Sequence, residues 1–343
     1  MRKRYWLGLA VSLLLVYLLA RSVELASVGK AFREADFAYL LPALVLYFGG
    51  VLVRAARWGF LLRSVQRLSL RRLFMVLSVG FMANDVLPLR AGEAARAYLL
   101  WRKERLDPTA TVATIVVERI LDGIVLTGFL VTGGLLVGMA SWLVQLAWMA
   151  GGIFVVGMAV LLGLAVVPNR LLALVDFILV LFPPRVREVA ARGLSGFAGG
   201  LGIVRDPHLA LAALLMSVVA WALEAGMYYL LLFSFPLPRL YIAALLGTAV
   251  ANLASMVPSS PGYVGTFDAG LLAVMVGTFG ADQSVAAAYT TLVHAALVLP
   301  ITSLGLLLLW REGLSLKGIA SRRSPSHDGV EDCPEAIPRR TAS

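Results

Sequence analysis

The stretch from residue 109 to 137, TATVATIVVERILDGIVLTGFLVTGGLLV, decides the fold, because it is apolar and longer than the about 20 residues that cross a bilayer. Its charged residues are Glu118, Arg119 and Asp122. Ionisable groups in a membrane helix are costly, usually face the bundle interior and pair with one another. Glu118 and Asp122 are four residues apart and share one helical face. The stretch predicts a membrane helix whose charges pair with other segments, at a binding site or as a structural salt-bridge lock.

Similar apolar runs recur along the chain and predict an all-α, polytopic membrane protein. Hydrophobic residues make up 60% of the 343 residues and charged ones only 15%, against about 25% charged in soluble domains. Six plain spans are predicted, near 5–22, 39–61, 109–137, 142–167, 208–234 and 285–310. The first is interpreted as an uncleaved helix, because no small-residue cleavage site follows it. One transmembrane domain is predicted over 1–310, followed by a disordered cytoplasmic tail over 311–343.

Two further apolar pieces contain polar residues and prolines, which predicts broken or re-entrant helical elements. They are 73–89 and the pair 240–257 with 264–280. The positive-inside rule places both ends of the first piece in the cytoplasm, and both ends of the second pair outside. Elements that enter from opposite faces suggest an inverted repeat. The same rule predicts cytoplasmic N- and C-termini, in a multi-pass protein of the cell membrane.

Three ordered motifs carry a resemblance to a known family. They are NDVLPLRAGEAAR at 84–96, ERILD at 118–122 and VPSSPGYVG at 257–265. Together they resemble the lysylphosphatidylglycerol synthase transmembrane family, also called flippase-like membrane proteins. The family pattern usually follows the third motif with Glu, where this chain has the shorter Asp268.

The resemblance implies a flippase-like domain that, in the bifunctional members, is thought to move an aminoacylated phospholipid between leaflets. Those members carry a soluble aminoacyltransferase domain after the membrane part. This chain ends soon after its last predicted helix, so lysyl transfer to lipid is not expected. Other relatives stand alone or occur with glycosyltransferases.

The first motif predicts an opened helix that carries an anion site. Asn84 and Pro88 are expected to break the helix, because proline removes a backbone donor and frees a carbonyl. Arg90 and Arg96 are predicted to hold a lipid phosphate through their planar guanidinium groups, and Glu93 to orient one of them. The alternative is that these charges anchor the hairpin at the headgroup level.

The same charges are candidate partners for the ERILD motif. Arg119 is expected to pair with Glu93, or Glu118 with Arg90 or Arg96.

The third motif places two prolines and two glycines between half-helices, and Ser259 and Ser260 are able to satisfy freed backbone groups. A half-helix that starts near Tyr263 would point its positive end at an anionic headgroup. The alternative is a tight turn between two helices. Glu224 and His294, each in the middle of an apolar span, are candidate proton relays; the alternative for both is a hydrogen-bonded packing contact.

These features favour a protein that binds and translocates a polar phospholipid or a polyprenyl-phosphate-linked lipid, with the two broken elements meeting around an anionic headgroup. One alternative is a membrane-embedded transferase that acts on a polyprenyl-phosphate sugar, with Glu93 or Asp122 as base. The other is an accessory subunit of a glycosyltransferase or lipid synthase. The candidate substrate-binding residues are Asn84, Pro88, Arg90, Gly92, Glu93, Arg96, Glu118, Arg119, Asp122, Asn252, Pro258, Ser259, Pro261, Gly262, Gly265 and Asp268.

Other partners and chemistries receive little support from the sequence. The net charge of +10 is attributed to contact with anionic lipid headgroups rather than nucleic acid, because the basic residues cluster between apolar runs. The three histidines have no metal-ligand spacing, and nucleotide motifs are missing, so neither a metal nor a cofactor is expected.

Overall fold

The computed structural model describes residues 25–87, 91–138, 140–166, 193, 196–256 and 260–312. In these ranges the regular structure is helical, without strands. The α-helices are α1 (Leu25–Glu34), α2 (Leu40–Leu61), α3 (Leu70–Val86), α4 (Ala91–Glu104), α5 (Pro108–Val137), α6 (Ser141–Val166), α7 (Pro207–Leu232), α8 (Tyr241–Ser255), α9 (Thr266–Gly277) and α10 (Gln283–Arg311).

The five plain spans predicted from residue 39 onward are confirmed as helices, with bounds within two residues of the predicted ones. The helix predicted near 5–22 and nearly all of the predicted tail lie outside the described residues. Within the described part, α2, α5, α6, α7 and α10 are long and apolar enough to cross a membrane. Large apolar side chains such as Leu135 and Trp148 are 71% and 80% exposed on these helices, as expected for surfaces that contact lipid tails.

Three of the spans begin with the same local device. An aspartate precedes the helix and its carboxylate accepts a backbone N–H of the first turn, which satisfies a donor without a partner in the helix. The Asp107 carboxylate accepts from Thr109 N at 2.8 Å at the start of α5, and Asp282 accepts from Ser284 N at 3.0 Å at the start of α10. Asp206 begins α7 in the same way.

Helices α3 and α4 form an antiparallel hairpin. At the open end, Arg72 Nε lies 2.9 Å from Glu104 Oε1. At the closed end, the Asn84 side-chain oxygen accepts from Gly92 N at 2.7 Å. A residue near the start of α3 thus contacts the end of α4, and a residue near the end of α3 contacts the start of α4. This pairing shows that the two helices run in opposite directions.

The prediction for this element was wrong in its bounds. Helix α3 continues unbroken to Val86, and the return arm is α4, which was expected to be a cytoplasmic connection. Helix α4 is rich in arginine and glutamate, so its sequence resembles that of a polar connection. Its burial depends on charged partners in other helices, which the sequence of α4 alone does not show.

The second hairpin consists of α8 and α9, close to the predicted 240–257 and 264–280. Gly270 packs against Val250 and Ala251, which lets the two backbones approach closely. Two statements stay predictions. One is that either hairpin is re-entrant, which depends on the position of the membrane; the other is that the two hairpins form an inverted repeat, which depends on their evolutionary origin.

Candidate functional site

A cavity of about 140 Å³ lies where the described ends of the two hairpins approach each other, residues 84–87 of the first and 260–265 of the second, here called the first and second hairpin tips. Charged and amide side chains line it together with apolar ones. Helices α2, α3, α5, α7, α8, α9 and α10 and the turn Pro261–Tyr263 contribute to its lining. Its ionisable or amide side chains are Tyr47, Arg54, Asn84, Asp85, Glu118, Arg119, Asp122, Glu224, Asn252, Tyr263 and His294. A space of this size is smaller than the about 300 Å³ of a typical small-molecule pocket and fits part of a headgroup rather than a whole lipid.

Two of the three charged residues of α5, Glu118 and Arg119, are paired with the first hairpin. The Arg96 guanidinium donates to both oxygens of Glu118 at 2.8 and 3.1 Å, and it lies 3.9 Å from the ring centroid of Trp58. An Arg119 nitrogen lies 3.5 Å from Glu93. Both are pairings that the sequence analysis offered as alternatives. They meet the expectation that charges in a membrane helix pair across the bundle.

Arg57 was missed by the sequence analysis, although it lies at the centre of the ion-pair network. Fully buried in α2, it binds both carboxylate oxygens of Asp122, donates to Ser217 at 2.6 Å, and lies 3.5 Å from Glu118. Trp221 Nε1 also donates to Asp122, at 2.9 Å. Arg57 is a charged residue in the middle of an apolar span, and this feature of the sequence could have identified it.

Arg54, one turn earlier in the same span, was missed as well. Its guanidinium donates to Glu224 at 2.8 Å and lies 4.4 Å from the centroid of the Trp221 ring. The other Glu224 oxygen accepts from Asn252 at 3.1 Å. Both oxygens of Glu224 therefore have fixed donors, a geometry typical of the packing alternative; its relay role stays a prediction.

The turn between α8 and α9 is built for a sharp change of direction. Gly262 and Gly265 have φ of 68° and 91°, values that favour glycine, and Tyr263 shares this left-handed region at 59°. Asp268 closes the turn, because its Oδ2 accepts from Gly265 N at 2.8 Å. The aspartate, shorter than the usual glutamate, thus reaches the backbone of its own turn.

His294 of α10 joins this turn to the cavity. Its Nδ1 lies 2.7 Å from Asp268 Oδ1, and its Nε2 lies 2.7 Å from the carbonyl oxygen of Gly262. Further along α10, Thr302 Oγ1 donates to Asp85 at 2.7 Å. Asp85 belongs to the NDVLPLRAGEAAR motif, but the sequence analysis gave it no role.

The predicted site residues divide into three groups. The lining of the cavity includes Asn84, Glu118, Arg119, Asp122, Asn252, Glu224 and His294. Close behind it, or in the adjoining turn, lie Gly92, Glu93, Arg96, Pro261, Gly262, Gly265 and Asp268. Outside the described residues lie Pro88, Arg90, Pro258 and Ser259. Arg96 is buried and its guanidinium donates to Glu118, the pairing expected for the salt-bridge lock; its role as a phosphate ligand stays a prediction.

The described residues contain no group of three or more His, Cys, Asp or Glu side chains arranged to hold a metal ion. The chemistry of the cavity, as far as the structure describes it, is that of paired charges, amides and phenols.

Apolar helices around a charge-lined cavity, with two hairpins that meet there, define the class: a polytopic, all-α membrane protein with an internal polar site. The model of the lysylphosphatidylglycerol synthase TM region matches residues 5–305, and the chain belongs to that family. The resemblance given by the three motifs is thereby confirmed.

Relatives among known proteins are distant. A UPF0104 membrane protein of Methanothermobacter thermautotrophicus is 27% identical over 282 residues, which cover 77% of this chain and 82% of the relative. The glycosyltransferase AglD of Haloferax volcanii is 25% identical over 318 residues, which cover 84% of this chain and 51% of that protein. No solved structure matches the chain.

Proposed function

We propose that this protein binds the polar headgroup of a phospholipid or polyprenyl-phosphate-linked lipid in the central cavity and moves that lipid between leaflets. The observation that carries the proposal is the polar cavity at the junction of two hairpin tips inside a bundle of apolar spans. Charges in such a position are costly and usually mark the path of a polar substrate. The acyl or prenyl chains would stay in the lipid while the headgroup enters the cavity.

Arg119 is the best-placed described arginine for an anionic group of the lipid. Arg57 and Arg96 are fully buried and bound to carboxylates, and Arg54 is held by Glu224. The Arg119 side chain is 32% exposed, and its contact with Glu93 at 3.5 Å is longer than a good charge-assisted hydrogen bond. A phosphate oxygen could compete with Glu93 for this guanidinium.

The first test is native mass spectrometry with lipid identification on the purified protein. Arg119→Ala is compared with Arg239→Ala, whose guanidinium lies 4.9 Å from the centroid of the Phe233 ring and outside the cavity lining. We expect a defined phosphate-bearing lipid that is depleted in the first variant and retained in the second. Bulk lipid that is unchanged in both variants would argue against a headgroup site.

The second test measures translocation in reconstituted vesicles. Fluorescent phospholipid and polyprenyl-phosphate analogues are placed in one leaflet, and their loss from that leaflet is followed by quenching. Arg119→Ala should slow the movement of the bound class, and Arg239→Ala should not. Absence of movement for every analogue, by a protein that retains its fold, would contradict the transport proposal.

The similarity to AglD, whose name describes a glycosyltransferase, favours a second candidate function. In it, the protein acts on lipid-linked sugars, either as a transferase or as an accessory subunit of one. The chain spans about half of that relative. Incubation of purified protein with labelled sugar donor and polyprenyl-phosphate acceptor tests the transferase, because a transporter makes no new product. Glu93→Gln and Asp122→Asn should abolish any product in which these carboxylates act as base.

The orientation is part of the proposal. Clustered arginines and lysines favour cytoplasmic termini in the cell membrane. Protease protection of terminal tags in intact cells tests this, and digestion of either tag from outside would contradict it.

A further inference from the structure

The last span, α10, holds both hairpin tips. His294 contacts the second tip through Gly262 and Asp268, and Thr302 contacts the first tip through Asp85. These two residues of α10 are eight positions apart, or about two helical turns, and therefore lie on similar sides of the helix. The tips also approach each other: a Cβ on Gly262 would lie 3.6 Å from the Asp85 carbonyl oxygen. A change in the hydrogen bonds of His294 therefore affects the position of the second tip at the cavity.

Both ring nitrogens of His294 face oxygen acceptors. A backbone carbonyl cannot donate, so Nε2 must carry the hydrogen of its contact with Gly262. The contact between Nδ1 and Asp268 needs a second hydrogen. A neutral imidazole has one N–H, so both contacts coexist only when the His294–Asp268 pair holds one proton more than neutral histidine and ionised aspartate.

We propose that His294 and Asp268 form a proton-binding site whose bound proton keeps the second hairpin tip on α10 and thereby controls access to the central cavity. The inference rests on the proposed function only in treating that cavity as the place of the lipid headgroup. Proton binding and tip release are properties of the protein itself.

The bound proton belongs on His294. Asp268 Oδ2 accepts from Gly265 N at 2.8 Å, so a backbone N–H already occupies this carboxylate oxygen as its donor. Asp268 also lies in the first turn of α9, where the helix dipole favours negative charge. The pair is therefore an imidazolium bound to a carboxylate.

Charged groups of both signs surround this pair. The titratable or charged side chains that share the lining with His294 are Tyr47 and Arg54 from α2, Asp85 from α3, Glu118, Arg119 and Asp122 from α5, Glu224 from α7 and Tyr263 from the turn. Among the described residues, Arg57, Arg96, Glu93 and Asp268 lie behind this lining or beside it. Any of these groups that exchanges its proton with water acts on the same cavity, so the experiments below isolate the contribution of His294.

Loss of the proton to water breaks one of the two contacts. A neutral ring can still donate to the Gly262 carbonyl or to Asp268, but not to both. The acceptor that loses its donor is either the Gly262 carbonyl, which lies in the turn, or Asp268, whose other oxygen holds Gly265 of the same turn. Gly262, Tyr263 and Gly265 of this turn all have positive φ, a conformation that is strained for Tyr263. We expect this turn, Pro261–Tyr263 with Gly265, to move away from α10 and open the cavity.

The first experiment measures the proton directly by NMR of full-length protein labelled with ¹⁵N-histidine in lipid nanodiscs. The chain has three histidines, so His208→Asn and His327→Asn assign the spectrum. At pH 7 we expect two N–H signals for His294, and in Asp268→Asn a neutral ring with one N–H. A neutral His294 ring in the unsubstituted protein at pH 6 would overturn the proposal.

The second experiment measures access to the cavity. Cys333, the single cysteine, is replaced by serine, and Ser255→Cys in the cavity lining is the reporter. The rate of maleimide labelling is measured from pH 5.5 to 8.5 in this protein and in the same protein with His294→Gln. Ionisation of the cysteine changes both labelling rates with pH in the same way. The ratio of the rate with His294 to the rate with His294→Gln therefore isolates the effect of His294.

We expect the labelling ratio to change several-fold as His294 loses its proton, and Asp268→Asn to remove this change. A ratio that is independent of pH would overturn the proposed gate. Lipid translocation is measured separately on the same vesicles. If the NMR and labelling results are as expected and no lipid moves, the transport proposal fails alone; if lipid moves and His294 is neutral, this inference fails alone.

Discussion

Removal of the Arg57 guanidinium tests whether the ion-pair network holds the bundle together. Arg57 is fully buried and contacts Asp122, Glu118 and Ser217. Breaking a buried pair by removing one partner costs about 3–5 kcal/mol, because it leaves a buried charge without compensation. Arg57→Met retains most of the volume and leaves Asp122 with Trp221 as its donor. We therefore expect the free energy of unfolding to fall by about 3–5 kcal/mol, a large part of the about 5–15 kcal/mol of a typical protein.

The assay is reversible unfolding in mixed micelles with increasing SDS, followed by circular dichroism. Arg57→Met/Asp122→Leu is the companion variant, because replacement of both partners by apolar residues of similar size is often close to neutral. The double variant should be more stable than Arg57→Met alone. If Arg57→Met costs less than about 1 kcal/mol, the value of an exposed pair, or if the two substitutions are additive, the reasoning is refuted.

The remaining predictions concern the hairpin and the caps. Gly92→Ala should destabilise the protein by about 1–3 kcal/mol, because the new Cβ would overlap the Gly80 carbonyl oxygen at the close approach of α3 and α4. Gly128→Ala is the matched control: nothing lies within 4 Å of its Cβ position, so stability should be unchanged or rise by up to about 1 kcal/mol. Equal losses in both variants by SDS unfolding would contradict this account. Asp282→Ala should cost about 1 kcal/mol through the lost N-cap of α10, and Asp282→Asn should retain most of it.

The apolar spans could be predicted from the sequence because each carries its own signal, a run long enough to cross a bilayer. Helix α4 could not, since it is rich in charge and its burial depends on a partner. Arg96 is expensive to bury alone and favourable only beside Glu118, which lies on another helix. Hydropathy is read one segment at a time, whereas the environment of Arg96 is set by two segments.

The same limit explains which site residues were found. Glu118 and Asp122 were recognised as intramembrane charges because they lie together in one span. Arg57 obeys the same rule but was overlooked, although its partner Asp122 had been singled out as a charge in need of a cation. A search for complementary charges between spans, rather than unusual charges within one, would have predicted the pair.

The arrangement of charges separates a rigid wall from an adjustable end of the cavity. On the side of α2, α4 and α5, Arg57 and Arg96 are fully buried and bound to carboxylates by several hydrogen bonds, so any change of partner would leave a buried charge. At the hairpin tips, His294 makes one contact with Gly262 and one with Asp268, and Thr302 makes one with Asp85. A hydrogen bond to a charged group contributes about 1.5–3 kcal/mol, which is less than the about 3–5 kcal/mol for breaking a buried ion pair. If a lipid headgroup binds in the cavity as proposed, its binding free energy should move the tips before it moves the wall. The tips, and not α5, are therefore the part of the protein that we expect to differ between the empty state and such a lipid-bound state.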